Sequence, residues 1–269
     1  MKFLAVAVSS AILCGAGDLP RPAGSVKLEE GYRQMYNLQF NEAHRIFQQW
    51  QSDHPDDPMG PASDAAAYLF SELDRLHILQ SEFFTDDDNF AKKHKLTPDL
   101  KLKGDFQESL SRAGSLAADA PDDANAMFAT ILQHGLQSDY LGLIEKRYLA
   151  ALGETKQASA VAEKLLEAYP DYHDANLAIG VENYLLSLKP APVRWVLRAS
   201  GAQTDRQGGI EKLRLTAEKG HYLVPFAKIL LAVAALRDKN HEAARAELSW
   251  LVEQFPSNRL FRDELAKVK

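Results

Sequence analysis

Residues 31–55 read GYRQMYNLQFNEAHRIFQQWQSDHP, and this stretch decides the fold class. Apolar side chains at Phe40, Ala43, Ile46, Phe47 and Trp50 recur at spacings of three and four, the helical period. Asn41, ahead of Glu42 and Ala43, stands where an N-cap is expected. Pro55 ends the helix, and Asp56 and Asp57 follow as turn residues. The stretch therefore predicts a helical hairpin, with Gly31 to Tyr36 on its first helix.

The same grammar returns near the other end of the chain. Pro225 to Arg237 forms a very apolar helix, Asp238-Lys239-Asn240 a tight turn, and His241 to Gln254 a second helix. Superposed on the first hairpin, Ala232 takes the place of Gly31, Ala244 that of Ala43, Leu248 that of Phe47 and Pro256 that of Pro55. Small residues let two helices approach, the bulky residue fills the groove between them, and the proline closes the unit. Ala158, Ala162, Leu165 and Pro170 repeat the second-helix pattern more weakly, and Gly180 then falls on a following first helix. Pro121 gives a fourth closing signal, after a helix from Phe106 to Ala120. The closing prolines at 55, 121, 170 and 256 are unevenly spaced, so insertions interrupt the repeat.

This pattern resembles the tetratricopeptide repeat, a 34-residue antiparallel helix pair. The resemblance covers roughly Val26 to Val268, and two units match it in full. As a whole the chain resembles exported repeat proteins of bacteria. The resemblance implies an all-α, irregular α-solenoid, a right-handed superhelix whose concave face is built from first helices and binds proteins or peptides. It implies a non-enzymatic adaptor. The family's two-carboxylate clamp needs Lys and Asn where Leu28 and Tyr32 stand, so that mode of recognition is not expected.

Composition agrees with helices. The chain has 269 residues, with 38 Ala and 37 Leu against 11 Val, 8 Ile and 6 Thr. Helix formers thus outnumber strand formers three to one, which argues against sheet-rich folds. A net charge of -6 counts against a nucleic-acid module, since phosphate binding needs a basic face. The single cysteine, Cys14, forbids an internal disulfide framework and a multi-Cys zinc site.

Met1 to Gly17 reads as a cleaved signal peptide: Lys2, then an uncharged, mostly apolar run from Phe3 to Leu13, then small residues. Residues 18–25 read as a linker, and 26–269 as the helical repeat domain. The expected location is periplasmic or secreted. A lipoprotein at Cys14 is the lesser alternative, because Leu13 fits poorly before a lipidated cysteine.

Two insertions attract attention, Phe83 to Lys103 and Lys189 to Gly209. The first holds Phe83-Phe84, the acidic Asp86-Asp87-Asp88 and a basic run. The second holds Arg194, Trp195 and Arg198, which on one helix would let two guanidiniums flank an aromatic anchor for a partner carboxylate. Gly208-Gly209 reads as a chain turn, or as an anion site at a helix start. His173 between Asp171 and Asp174 reads as a capping turn rather than a metal site. No zinc-protease, nucleophile-elbow or phosphate-loop motif occurs.

These readings lead to one expectation. The chain is an all-α tetratricopeptide-like solenoid, one elongated array, that needs no cofactor or metal and binds an unidentified protein or peptide. The binding residues are expected to be Tyr68, Glu72, Asn183, Tyr184, Arg194, Trp195 and Arg198. The packing residues are expected to be Gly31, Ala43, Phe47, Pro55, Ala158, Pro170, Gly180, Ala232, Ala244, Leu248 and Pro256. The alternatives are a membrane-associated envelope assembly or lipid-handling factor, and an enzyme on a helical scaffold.

Overall fold

The computed structural model describes residues 25–79, 96–187 and 205–268. The expected signal peptide, nearly all of the linker, Phe83-Phe84, Arg194, Trp195 and Arg198 lie outside them. Eleven α-helices and no strand occur among the described residues. They are α1 (Ser25–Tyr36), α2 (Phe40–Asp53), α3 (Met59–Arg75), α4 (Leu100–Asp119), α5 (Ala124–Asp139), α6 (Tyr148–Ala168), α7 (Asn176–Ser187), α8 (Arg206–Lys219), α9 (Val224–Arg237), α10 (His241–Gln254) and α11 (Arg259–Lys267). A π-helical turn, Tyr140–Ile144, follows α5, and a short 3-10 turn, His173–Ala175, precedes α7. Each helix packs on the next, and α3 also touches α1 and α5.

Two kinds of turn recur among the described residues. The first ends α1, α3 and α9. Leu38, His77 and Lys239 adopt positive φ of 61, 54 and 58°. The following N–H reaches back five residues: Gln39 to the Gln34 carbonyl, Ile78 to Leu73 and Asn240 to Ala235, at 2.9–3.0 Å. This left-handed stop satisfies carbonyls that the helix end leaves open.

The second kind ends α2, α4, α6 and α10. His54, Ala120, Tyr169 and Phe255 leave the helix with φ between -127 and -137° and ψ between 62 and 77°. Each precedes a proline, whose ring excludes the helical conformation from the residue before it. Each carbonyl then accepts from the N–H three residues on, that of Asp57, Asp123, Tyr172 or Asn258, at 3.0–3.2 Å. The four closing prolines thus share one turn. Asp123 and Asn258 go on to cap α5 and α11 through backbone N–H groups.

Close approach of neighbouring helices occurs at two glycines. A Cβ on Gly31 would lie 2.3 Å from the Phe47 ring, so only glycine admits that ring between α1 and α2. Gly180 and Leu213 repeat the contact between α7 and α8, with 3.0 Å available. Ala43, Ala158, Ala232, Ala244 and Leu248 are buried in the core, while Pro55, Pro170 and Pro256 are exposed at their turns.

Three expectations are corrected. Asn41 lies inside α2, and Gln39 precedes that helix with no side-chain cap. Gly208-Gly209 does not turn the chain, because both residues lie within α8. A Cβ on Gly209 would lie 2.8 Å from the Tyr184 nitrogen and 3.0 Å from the Gly180 carbonyl oxygen, so this glycine serves close approach of two backbones. The helix start is already occupied by the Asp205 carboxylate, which accepts from the Gln207 N–H.

The third correction concerns shape. The first and last described hairpins meet, so the described array closes on itself. The Asn258 side-chain amide donates to the Tyr36 carbonyl at 2.7 Å, the Ser257 N–H donates to Asn37, and Arg259 pairs with Asp74 at 2.9 Å. The cause lies in the aromatic side chains. Tyr36 packs on Phe70 and Phe255, Phe70 on Phe226, and Tyr32 on Tyr222, which reaches Phe128, itself packed on Tyr172. Rings from α1, α3, α5 and α9 bury one another only if the terminal hairpins close together.

Candidate functional site

Asp174, in the 3-10 turn before α7, organises the middle of this aromatic cluster. Its carboxylate accepts from the His221 and Leu223 N–H groups, each at 2.9 Å, and so holds the turn between α8 and α9. Burial pushes the carboxyl above the usual carboxylate range, and the backbone donors pull it back. The same burial, with Asp174 nearby, raises the hydroxyls of Tyr32, Tyr36, Tyr172 and Tyr222. Ser63 donates to the Tyr32 hydroxyl at 3.1 Å. This buried polar cluster is a structural centre.

The expected binding residues fall into three groups. Tyr68 lies on α3 between α2 and α4, stacked on His44 with ring centroids 4.0 Å apart. His44 Nδ1 is held by the Asp64 carboxylate at 2.5 Å. Partial burial and the carboxylates of Asp64 and Asp105 push the Tyr68 hydroxyl up to about 12. Glu72, in contrast, is only 2% exposed. It grips Arg75 through both oxygens at 2.7 and 2.8 Å and accepts from the Asp99 N–H, while Arg75 donates to the Thr97 carbonyl. Glu72 therefore anchors the chain where it re-enters at α4. Asn183 and Tyr184 are also buried, against the start of α8, with the Arg206 guanidinium 5.8 Å from the Tyr184 ring centroid. These three do not line an accessible groove. The structure brings Asn183 and Tyr184 together, and leaves Tyr68 and Glu72 on a separate helix.

Two open hollows among the described residues bear on binding. One, of about 460 Å³, is formed by residues 53–58 with Leu116, Ala120 and the start of α5. Three of its four carboxylates are already engaged: Asp53 by Lys27 and Gln49, Asp57 by Trp50 and the Met59 N–H, Asp123 by its capping role. Among the described residues no group of three or more His, Cys, Asp or Glu is arranged to hold a metal, and no helix is long and apolar enough to cross a membrane. The other hollow, of about 340 Å³, runs along α5 between α4 and α6. It is lined by Gln107, Leu110, Ser111, Gln133, His134, Gln137 and Glu154. His134 and Glu154 pair across it at 2.7 Å. The reading of the sequence missed this hollow. The four-residue spacing of Gln133 and Gln137 was a visible signal, but the facing wall comes from another helix.

One further carboxyl stands out. Asp139 ends α5 just before the π-helical turn, and uncompensated burial raises it to about 7. Its unfolded value is near 3.8, so between those values the folded protein holds more protons. Stability should therefore fall as pH rises from about 4 to about 7, and the full cost should persist above that. Asp139→Asn is expected to stabilise the protein by about 2 kcal/mol at pH 8 and by almost nothing at pH 4. Thermal unfolding of both proteins across this range checks the sign, and an equal effect at the two pH values would refute it.

Compared with known proteins, the chain matches no family model, no curated protein and no solved structure.

Proposed function

We propose that this chain is a non-enzymatic binding scaffold, an irregular tetratricopeptide-like array of helical hairpins exported to the cell envelope. The observation that carries the reading is the recurrence of the two turns. Left-handed residues at Leu38, His77, Lys146 and Lys239 fall in turn between and before the proline turns at 55, 121, 170 and 256. A chain built by repeating one supersecondary unit presents successive, similar grooves, which suit extended partners. Export rests on the signal-like segment Met1 to Gly17.

A second reading, a membrane-associated assembly or lipid-handling factor, draws on a different observation. Leu100, Tyr148, Leu149 and Leu185 are exposed large apolar residues, at 81, 47, 88 and 47%. All four lie toward the end of a hairpin where its first helix gives way to its second. An exposed apolar edge is a feature of interaction surfaces.

Cross-linking and capture from an envelope extract, run beside co-sedimentation with lipid vesicles, tests both. A saturable protein partner, with no vesicle binding, is the expected result. Vesicle binding that Leu100→Ser and Leu149→Ser abolish would favour the second reading instead. No partner in either arm would sink the scaffold.

A further inference from the structure

The end of α5 departs from the left-handed stops of α1, α3 and α9. There the N–H after the left-handed residue reaches back five residues. Here the Arg147 N–H, after Lys146 at φ 59°, reaches back six, to the Leu141 carbonyl at 2.8 Å. The extra residue is taken up by the π-helical turn Tyr140–Ile144, closed by the Glu145 N–H on the Tyr140 carbonyl at 3.2 Å. Such turns are rare, and frequent at functional sites.

Two polar side chains lie here without compensation. Tyr140 is 2% exposed, and its buried hydroxyl meets no hydrogen-bond partner among the described residues. Asp139 is the last residue of α5, at the negative end of the helix dipole, where an anion is disfavoured. Burial is the only influence on its carboxyl. The charges that packed neighbours bring to this end of α5 are engaged elsewhere. Glu72 of α3 holds Arg75, Lys103 of α4 and Arg147 hold Glu145, and Glu154 of α6 holds His134. None of these acts on Asp139, nor do Tyr140, Lys146 or Tyr148.

The closed turn is held by other contacts. Ser138 donates to the Ala151 carbonyl at 2.9 Å, Phe106 stacks on Tyr140 with centroids 5.2 Å apart, and Lys103 pairs with Glu145 at 2.7 Å. Lys103 and Arg147 keep the Glu145 carboxyl below its ordinary range, so that pair persists as Asp139 titrates.

We propose that this hairpin is a proton-operated hinge: with Asp139 neutral the π-helical turn stays closed on α4 and α6, and loss of that proton releases residues 139–147 and the start of α6, where Tyr148 and Leu149 supply two of the four residues of the exposed apolar edge. The device goes beyond the scaffold reading and needs no partner to operate. Burial raises the Asp139 carboxyl from 3.8 to about 7 in the closed turn, and solvent restores the ordinary value in the open one. Between those values the closed turn holds the extra proton, so opening grows as pH rises from about 4 to about 7 and is constant above that.

NMR of the full chain at pH 5 and pH 8 tests the hinge. At pH 8 the cross-relaxation between the Phe106 and Tyr140 rings should weaken about threefold or more, while that between Tyr36 and Phe255 persists. Protection of the Glu145 and Arg147 N–H groups should fall about tenfold or more, and about 1 M urea should not change it, as befits a local opening. Asp139→Asn should keep the pH 5 state at both values. His134→Gln, which removes the other group on α5 able to change charge, should leave the switch intact. A turn unchanged between the two pH values would overturn the hinge, even if the protein were less stable at pH 8. So would a change that survives Asp139→Asn or vanishes in His134→Gln, or a parallel loss of the Tyr36–Phe255 contact. In the wild type, an Asp139 carboxyl carbon that titrates below about 5 would overturn it without any variant.

Discussion

Gly209→Ala should lower stability by about 2 kcal/mol, even after the gain in helix propensity of up to about 1 kcal/mol that alanine brings. For a chain of this size that corresponds to a fall in Tm of roughly 4–8 °C. The new methyl would meet the Tyr184 nitrogen at 2.8 Å and the Gly180 carbonyl oxygen at 3.0 Å. Both are backbone atoms inside α7, so relief requires α7 and α8 to separate, not merely a rotamer change. Separation would also loosen Leu213, fully buried beneath Gly180. Gly135→Ala supplies the internal control. It lies in the interior of α5 with open space around it, so the same substitution should stabilise by about 0.5–1 kcal/mol. Differential scanning calorimetry of the two variants should give shifts of opposite sign. Shifts of the same sign would mean that α7 and α8 are not in backbone contact.

Asp174→Ala should cost about 3 kcal/mol. It strips the partner from two backbone N–H groups, those of His221 and Leu223, and each orphaned buried donor costs about 1–3 kcal/mol. Loss of a desolvated carboxylate offsets part of this, since burial already holds the Asp174 carboxyl above its usual range. Asp174→Asn should not rescue fully, because its amide nitrogen would face donors. The turn at Gly220 has no slack to adapt: a Cβ there would lie 2.6 Å from the Thr216 carbonyl oxygen and 2.8 Å from Asp174 Oδ1. Hydrogen exchange should show the His221 and Leu223 amides opening earlier than those of α9. Unchanged protection at these two amides in Asp174→Ala would disprove the role.

The repeat grammar was legible because it is local. A proline dictates the conformation of the residue before it, and so His54, Ala120, Tyr169 and Phe255 share one backbone geometry, despite having nothing else in common. The pairing of Gly31 with Phe47 was readable for the same reason, since a hairpin fixes which positions face each other across a short turn. The expected binding residues fared differently. Glu72 and Tyr184 are polar residues on first helices, which suggested an open groove. Glu72 instead serves a chain re-entry 27 residues away, and Tyr184 packs under α8, whose start lies beyond an insertion.

Helix content and the proline-closed helix ends followed from local patterns, where period and turn chemistry rule, whereas the start of α4 at Leu100 fell inside an expected insertion. Closure of the ends, the buried centre at Asp174 and the amide-lined groove arose only in three dimensions. Asn258 and Tyr36 lie 222 residues apart, and no local rule links them. Gln107 and Gln133 belong to different helices, and what brings them to one hollow is the packing of both helices in a shared core, not either segment alone. Periodicity states which face of a helix is buried, whereas the partner of that face is chosen by the shape of everything else the chain must cover.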